Sequence, residues 1–575
     1  MRVATPLEDR IITLARSGRV AAVFISGSAG GGKSLLVGSL RGTDADAFGS
    51  IVEDATHSDS PSELQYQRLI RYLEPLADGR PPYKGKPLLI AMNTGMVIRF
   101  FDQLREARGK AHGFTALERE LKRRLNLRHA ADAKGLTLPG AVAVVNLDHR
   151  ATTGGSDSLF SAMLRAVDPD ADRSVLDGRR CRSCTVRQWC FVRTNAQLIS
   201  SKEGCSAIDS AADALAFDRG RPLQPRALWD LIADLLIGGE AFTEPDPCDR
   251  IASLAADGQG EEVVFWRLAT NGIFRRPLPA PRRAGSRRQS VVRAVPPTSR
   301  LGQAAEAIRE LDPSFKPDEK IHQDLADVGI EPARDRERFV AILGGGPAAR
   351  EAVVTAGTGL ERILRTAADL VPAVARGVVR ARWMAGQISL GSRNPDFTAA
   401  VSAAAAGRFD DPAIDNVREG VIKGLAAGFG SSVGERFFFR TEAYDPDRDW
   451  EILVEIDLES PSDDYLSPFE PVLEANPDGA ALVSYRPMSI SFRVPGGTTF
   501  AVDVQLHRLL QLAAAGTLLS TADLERSYQL RHAAEVIGHS GAQDEKKALL
   551  LVKRSESRRF LIYQRRQSLA AREVS

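Results

Sequence analysis

The chain has 575 residues, 43% of them hydrophobic and 26% charged, with a formal net charge of +2. Hydrophobic cores stop growing at roughly 250–300 residues, so two to four domains are expected, and the charge balance excludes a chain that is polybasic throughout. No run of about 18 apolar residues exists to cross a membrane, and the charged N-terminal stretch lacks the apolar centre of a signal peptide, so cytoplasmic residence is expected.

In chain order, residues 7–19 read as a short amphipathic helix. Residues 21–26, AAVFIS, form a buried strand that runs straight into GSAGGGKS at 27–34, and 34–40 read as a helix. A strand over 48–56 carries Glu53 and Asp54, 62–77 has helical spacing, and PLLIAMN at 87–93 is another apolar strand. Helical stretches follow at MVIRFFDQLREA and LERELKRRL, then a strand at 140–148. Strand and helix alternating at short spacing predict a parallel sheet covered on both faces. From about 195 the pattern turns helical, with 227–242 the best amphipathic helix. Residues 274–300 contain eight arginines, interspersed prolines and no acidic residue, which reads as a linker or extended hairpin. Residues 301–440 are alanine-rich and read as helical; the last part mixes strands with the helix HRLLQLAAAG.

Gly27-x-x-x-x-Gly32-Lys33-Ser34 is a full Walker A pattern, with a strand before it and a helix after it. Gly27, Ser28, Ala29, Gly30, Gly31 and Gly32 would wrap their backbone around phosphates, because glycine tolerates the required dihedrals and helix-start N–H groups attract negative charge. Lys33 would reach the β and γ phosphates of ATP, and Ser34 would give its hydroxyl to Mg2+. A carboxylate should complete the magnesium site. Asp54 is the choice, and Asp148, at the end of VAVVNLD, is the alternative. Asn93 ends a strand at the carboxyl edge of the sheet, where ligands bind, and could orient the attacking water or simply turn the chain. Asn146 and Arg150 flank the next strand end with the same ambiguity. Pro225 and Arg226 open an amphipathic helix that resembles the sensor-2 helix in the lid of AAA+ ATPases. That resemblance implies a γ-phosphate contact for Arg226; otherwise it is an exposed arginine at a helix start.

The five cysteines lie between 181 and 248. Cys181-x-x-Cys184-x5-Cys190, with Cys205 as a looser fourth, has the spacing of a zinc site or an iron–sulfur cluster, while half-buried packing without metal is the alternative. Cys248 reads as structural, and His57 and His149 as surface or supporting groups.

The segments GSAGGGKS, VEDATHSDSP (52–61), LLIAMNTGMVIRFF (88–101), VNLDHR (145–150) and CRSCTVRQWCFVRTNAQL (181–198) together resemble the DptF-type ATPases of DNA phosphorothioation-dependent restriction systems and related P-loop proteins of bacterial anti-phage operons. The resemblance covers about residues 15–270, and Phe191 stands where such cysteine blocks carry proline. It implies an ATPase subunit of a restriction complex that works with partner subunits on DNA. The arginines from Arg275 to Arg300 could supply the DNA contact by releasing counterions, or serve only as a solvated tether. An AAA+-like regulator acting on protein partners, without DNA contact, is the competing reading. A small-molecule kinase is disfavoured, because no acceptor pocket is legible.

The expected architecture is therefore α/β. A P-loop, AAA+-like parallel-sheet core spans 1–195 with a cysteine-rich insertion at about 178–205. A helical lid (196–273), a basic linker (274–300), a helical domain (301–444) and a small α+β domain (445–575) follow.

Overall fold

The computed structural model describes residues 3–256 apart from 4, 29, 56–64, 110–111, 126–135, 155–157, 172–173, 175, 177–180, 182, 188–189 and 238–246; residue 269; residues 311–315; residues 371–390 apart from 389; and residues 394–574 apart from 435, 443–446, 457–465, 470–486, 495–498, 518–523, 542–547 and 566–567. The basic segment 274–300, Ala29 and His57 lie outside the described residues. The described chain forms two compact units: residues 3–216 with 222–390, and residues 217–221 with 394–574.

The first unit opens with α1 (Pro6–Arg16), β1 (Ala22–Ser26) and α2 (Lys33–Asp44). It continues through β2 (Ser50–Val52), α3 (Gln65–Leu73), β3 (Leu88–Ala91), α4 (Thr94–Arg108), α5 (Thr115–Arg124) and β4 (Val142–Asn146). The four strands form one sheet in the order β2-β3-β1-β4, and every pairing is parallel. Each residue of β1, β3 and β4 is buried, as expected for a parallel sheet covered on both faces. Period-two alternation decides which layer each side chain meets. Val23, Ile25, Leu89, Val145 and their neighbours pack with Ile11 of α1 and Leu36, Val37 and Leu40 of α2. Phe24, Leu88, Ile90 and Val144 pack with Leu69 of α3, Phe100 and Phe101 of α4 and Leu117 of α5. Beyond β4 come α6 (Leu159–Arg165), α7 (Phe191–Ser200), α8 (Lys202–Asp218), α9 (Pro225–Ile237), α10 (Pro247–Ala256) and α11 (Val371–Met384).

The second unit begins with α12 (Pro395–Ala405) and α13 (Pro412–Phe429). Strands β5 (Gly430–Val433), β6 (Arg436–Arg440) and β7 (Trp450–Ile456) join β11 (Leu549–Lys553), β12 (Arg558–Arg565) and β13 (Ser568–Val574) in a six-stranded sheet. Its order is β13-β12-β11-β7-β6-β5, and all its pairings are antiparallel. A second antiparallel sheet contains β8 (Ser467–Phe469), β9 (Ser489–Arg493) and β10 (Thr499–Asp503). Helices α14 (Val504–Ala514) and α15 (Leu524–Gly541) complete the unit.

Residues 301–444 were expected to be helical, yet β5 and β6 are strands. Gly434 turns between them at φ +60°, and Phe437 and Phe439 of β6 pair with Ile456 and Val454 of β7. A boundary at 444/445 would cut that pairing. Helices α12 and α13 also share a core with the sheets, where Phe397 and Val421 pack with Phe492 and Val502. Among the described residues no helix is long and apolar enough to cross a membrane.

His507 of α14 is buried in this core and stacks on Phe397 with 4.8 Å between ring centroids. Burial pushes its pKa below the ordinary 6.5, and nearby Asp396 only partly opposes this. The folded unit therefore favours the neutral ring, while the unfolded chain takes up the proton. Stability from this group is complete above pH 6.5 and is lost as pH falls below it toward the lowered folded value. The melting temperature should drop between pH 7 and pH 5.5, and less so in a His507→Leu variant. Parallel curves for the two proteins would remove His507 as the cause.

Candidate functional site

The loop between β1 and α2 owes its shape to glycine. Gly27, Gly30 and Gly32 have φ of +139°, +86° and +90°, dihedrals that side-chain-bearing residues rarely adopt. Gly31 lies where a Cβ would come 3.2 Å from the Ser28 carbonyl oxygen. Lys33 is the first residue of α2, and its Nζ donates to the carbonyls of Gly27 and Ser28, each at 2.7 Å. Burial lowers the Lys33 pKa; the charges of Asp148 and then Asp54 oppose it. Both carboxylates thus bear on the lysine. Ser34 follows on the exposed side of the helix start.

Asp148 stands against the loop. Its Oδ1 accepts from the Ser28 N–H at 2.8 Å, and its Oδ2 accepts from the Ser28 hydroxyl at 2.9 Å. Both oxygens thus hold Ser28, one through its backbone and one through its side chain. Asp54 follows β2, two places from β1 in the strand order, and its backbone carbonyl accepts from Arg68 Nη1 at 3.2 Å. Asn93, at the end of the intervening strand β3, caps α4: its Oδ1 accepts from the Met96 N–H at 2.7 Å. The cap engages the oxygen, which leaves the amide NH2 as the half of the side chain suited to an acceptor at the strand ends. Asn146 makes the same kind of local bond, accepting from the Asp148 N–H at 3.1 Å.

The start of α9 lies against this loop. A Cβ at Gly30 would sit 2.9 Å from Gln224 Oε1 and 3.7 Å from Arg226 Cβ, and one at Gly32 would sit 3.9 Å from Pro225 Cγ. Arg226 is exposed in the first turn of α9. The segment after β4 is fastened to the same helical layer. The Thr152 hydroxyl donates to the Leu223 carbonyl at 2.8 Å, and Asp209 of α8 accepts from the Gly154 N–H and the Ser158 hydroxyl. Neither the Ser28–Asp148 brace nor the approach of Gln224 carries a signature in the sequence, because both join residues far apart in the chain.

A small open cleft of about 60 Å³ adjoins the loop. Its lining includes Gly31 and Gly32, Leu36 of α2, Glu8 of α1, Arg150 and Trp229 of α9. Burial lowers the Arg150 pKa, partly offset by the charge of Glu8.

The structure does not gather the four cysteines. Cys205 lies buried in α8, and its thiol donates to the Ser161 carbonyl at 3.6 Å. Cys190 precedes α7, and burial raises its pKa, with the charges of Cys184 and Cys181 adding to the rise. Among the described residues no group of three or more His, Cys, Asp or Glu side chains is arranged to hold a metal ion. No step below runs through a metal at these cysteines. Asn195, from the same block, is a structural clip: its Nδ2 donates to the Leu236 carbonyl and its Oδ1 accepts from the Ala269 N–H.

Comparison of the chain with protein families, curated proteins and solved structures finds no match.

Proposed function

We propose that the first unit binds and hydrolyses ATP with Mg2+. The observation that carries this reading is the strand–loop–helix at β1 and α2, with three glycines at positive φ and Lys33 at the first helical position. A loop of that form presents backbone N–H groups and a cation to phosphate. Lys33, now bonded to two loop carbonyls, would exchange them for phosphate oxygens. Bound Mg2+ would neutralise phosphate charge, with the Ser34 hydroxyl and the Asp54 carboxylate as its protein partners. The Asp148–Ser28 brace would hold the loop open to the ligand. Arg226, in the helix start that meets Gly30 and Gly32, would act as a lid arginine toward the γ-phosphate.

Turnover of this kind serves work on a partner, and the resemblance to restriction ATPases directs the proposal to DNA. The eight arginines of 274–300 would supply phosphate contacts, other subunits of a defence complex would complete the assembly, and no membrane is involved. Purified protein should hydrolyse ATP only with Mg2+ and should bind duplex DNA with strong salt dependence. Changing Arg282, Arg283, Arg287 and Arg288 to Gln should weaken DNA binding for all sequences alike. It should also flatten the slope of log affinity against log salt by up to about 0.9 per lost phosphate contact. An unaltered slope would make the segment a tether and favour a regulator of protein partners; absence of Mg-dependent hydrolysis would remove the ATPase reading itself.

A further inference from the structure

Side chains alternate along a strand, so β7 keeps Trp450, Ile452, Val454 and Ile456 on one face of the six-stranded sheet. Val454 and Ile456 are buried in the core that includes Ala533, Ala534 and Ile537 of α15. Trp450 and Ile452 lie outside that core and are 45% and 47% exposed. The strand register extends them into two rows. Trp450 pairs with Lys553 and Lys553 with Arg558; Ile452 pairs with Leu551 and Leu551 with Phe560. The Trp450 and Phe560 rings stand 6.1 Å apart between centroids. A cation lies over each ring: Lys553 Nζ is 5.7 Å from the Trp450 centroid, and the Arg558 guanidinium is 5.0 Å from that of Phe560. Arg558 Nε and Nη2 donate to the two Glu573 carboxylate oxygens at 2.8 and 3.0 Å. A two-pronged bond of this kind lies in the guanidinium plane and leaves its flat faces clear of the carboxylate. The surroundings are basic. Residues 553–574 hold seven lysines and arginines against two glutamates. Arg559 and Arg572, on the opposite face of the β12–β13 hairpin, have no ion pair among the described residues.

We propose that this end of the sheet binds single-stranded DNA. Bases stack on Trp450 and on the Arg558–Phe560 pair, and phosphates meet the cations of β11, β12 and β13. Exposed aromatic rings beside basic groups hold single strands without reading their sequence, since every base has a flat face to offer. In a duplex those faces are hidden inside the stack. The ion pairs of Lys553 with Glu556 and of Arg558 with Glu573 are solvent-exposed and contribute little to stability, so a phosphate can replace a carboxylate at small cost. An apolar protein surface docking here would instead have to bury the cations together with their carboxylates, which costs desolvation. DNA is named over RNA because the proposed function acts on DNA, and in that choice the inference rests on that reading. It requires neither the phosphate loop nor the arginines of 274–300.

The test is fluorescence anisotropy of the full chain with labelled oligothymidylate, oligouridylate and a DNA duplex, for wild type, Trp450→Ala, Trp450→Phe and the double variant Lys553→Gln, Arg558→Gln. In Trp450→Ala, affinity for oligothymidylate should fall by about five-fold or more, the loss of one base stack on an aromatic ring. Duplex affinity should stay at the wild-type value. Trp450→Phe keeps a ring and should recover most of the loss, which a merely structural role for Trp450 would not explain if both variants melt like wild type. The double variant should flatten the slope of log affinity against log salt for oligothymidylate by up to about 0.7 per lost phosphate contact. Wild-type affinity for oligothymidylate in Trp450→Ala, or equal weakening of oligothymidylate and duplex, would overturn the assignment. So would tighter binding of oligouridylate than of oligothymidylate. Self-association of wild type that Trp450→Ala abolishes, with oligothymidylate binding unaltered, would give the face to a second copy of the chain. Wild type that binds duplex but no oligothymidylate sinks this inference alone; wild type that binds neither DNA sinks the DNA reading with it.

Discussion

Lys33→Ala is expected to cut ATP turnover by at least about 10²-fold, the scale of losing one pre-organised charge-stabilising group. Phosphoryl transfer spreads negative charge over the phosphate oxygens, and the protein's contribution is mostly positioning and electrostatics. Lys33 is a cation held at the mouth of the loop, 2.7 Å from the carbonyls of Gly27 and Ser28. The Lys33 side chain is half-buried, and the charges of Asp148 and Asp54 bear on it. Alanine removes it and keeps the helix, since Leu36, Val37 and Leu40 anchor α2 in the core. The loop dihedrals are set by glycine and do not depend on the lysine. Circular dichroism and melting should therefore match wild type while steady-state hydrolysis collapses. Turnover near the wild-type rate in a folded Lys33→Ala protein would end the nucleotide-site reading.

Features that depend on neighbours in the chain were legible in the sequence. The runs that became β1, β3 and β4 are short, apolar and followed by loop or helix signals, and the glycine loop is recognisable without any partner. Strand order was not legible, because nothing in 48–56 or 140–148 says which side of β1 each strand takes. Nor was the pairing within the second unit's sheet, in which Leu453 of β7 meets Leu550 of β11, far along the chain. The alanine-rich α12 has little periodic contrast to reveal that Phe397 and Val401 face a β-sheet core. SLAAREV lacks the alternation of a half-buried strand, so β13 left no mark. Among site residues, Asp148 was visible as a strand-end acid, but its bonds to Ser28 were not. The cysteine spacing was visible too, yet α8 turns Cys205 toward Ser161.

The choice between two strand-end acids leads to the second large effect. Asp54→Asn should leave ATP binding within about two-fold and reduce Mg-dependent turnover by about 10²-fold or more, as expected when a metal-holding charge is lost at the reacting phosphate. Both carboxylates act on Lys33, so proximity alone does not separate them. Asp148 has a visible task of its own. Each Asp148 oxygen accepts a bond from Ser28, so metal coordination there would have to break the brace that shapes the loop. Asp148→Asn keeps one acceptor oxygen but replaces the other with an NH2 facing the Ser28 N–H or hydroxyl. Its expected result is weaker nucleotide binding together with slower turnover, a defect in affinity rather than in the chemical step. Asp54 sits two strands over at the same carboxyl edge, beyond the strand end of Asn93. Its loss should raise the Mg2+ concentration needed for half-maximal rate, whereas loss of Asp148 should leave that requirement unchanged. Titrating Mg2+ at saturating ATP in both variants decides the matter: a shifted Mg2+ requirement in Asp148→Asn and none in Asp54→Asn would move the metal to the end of β4.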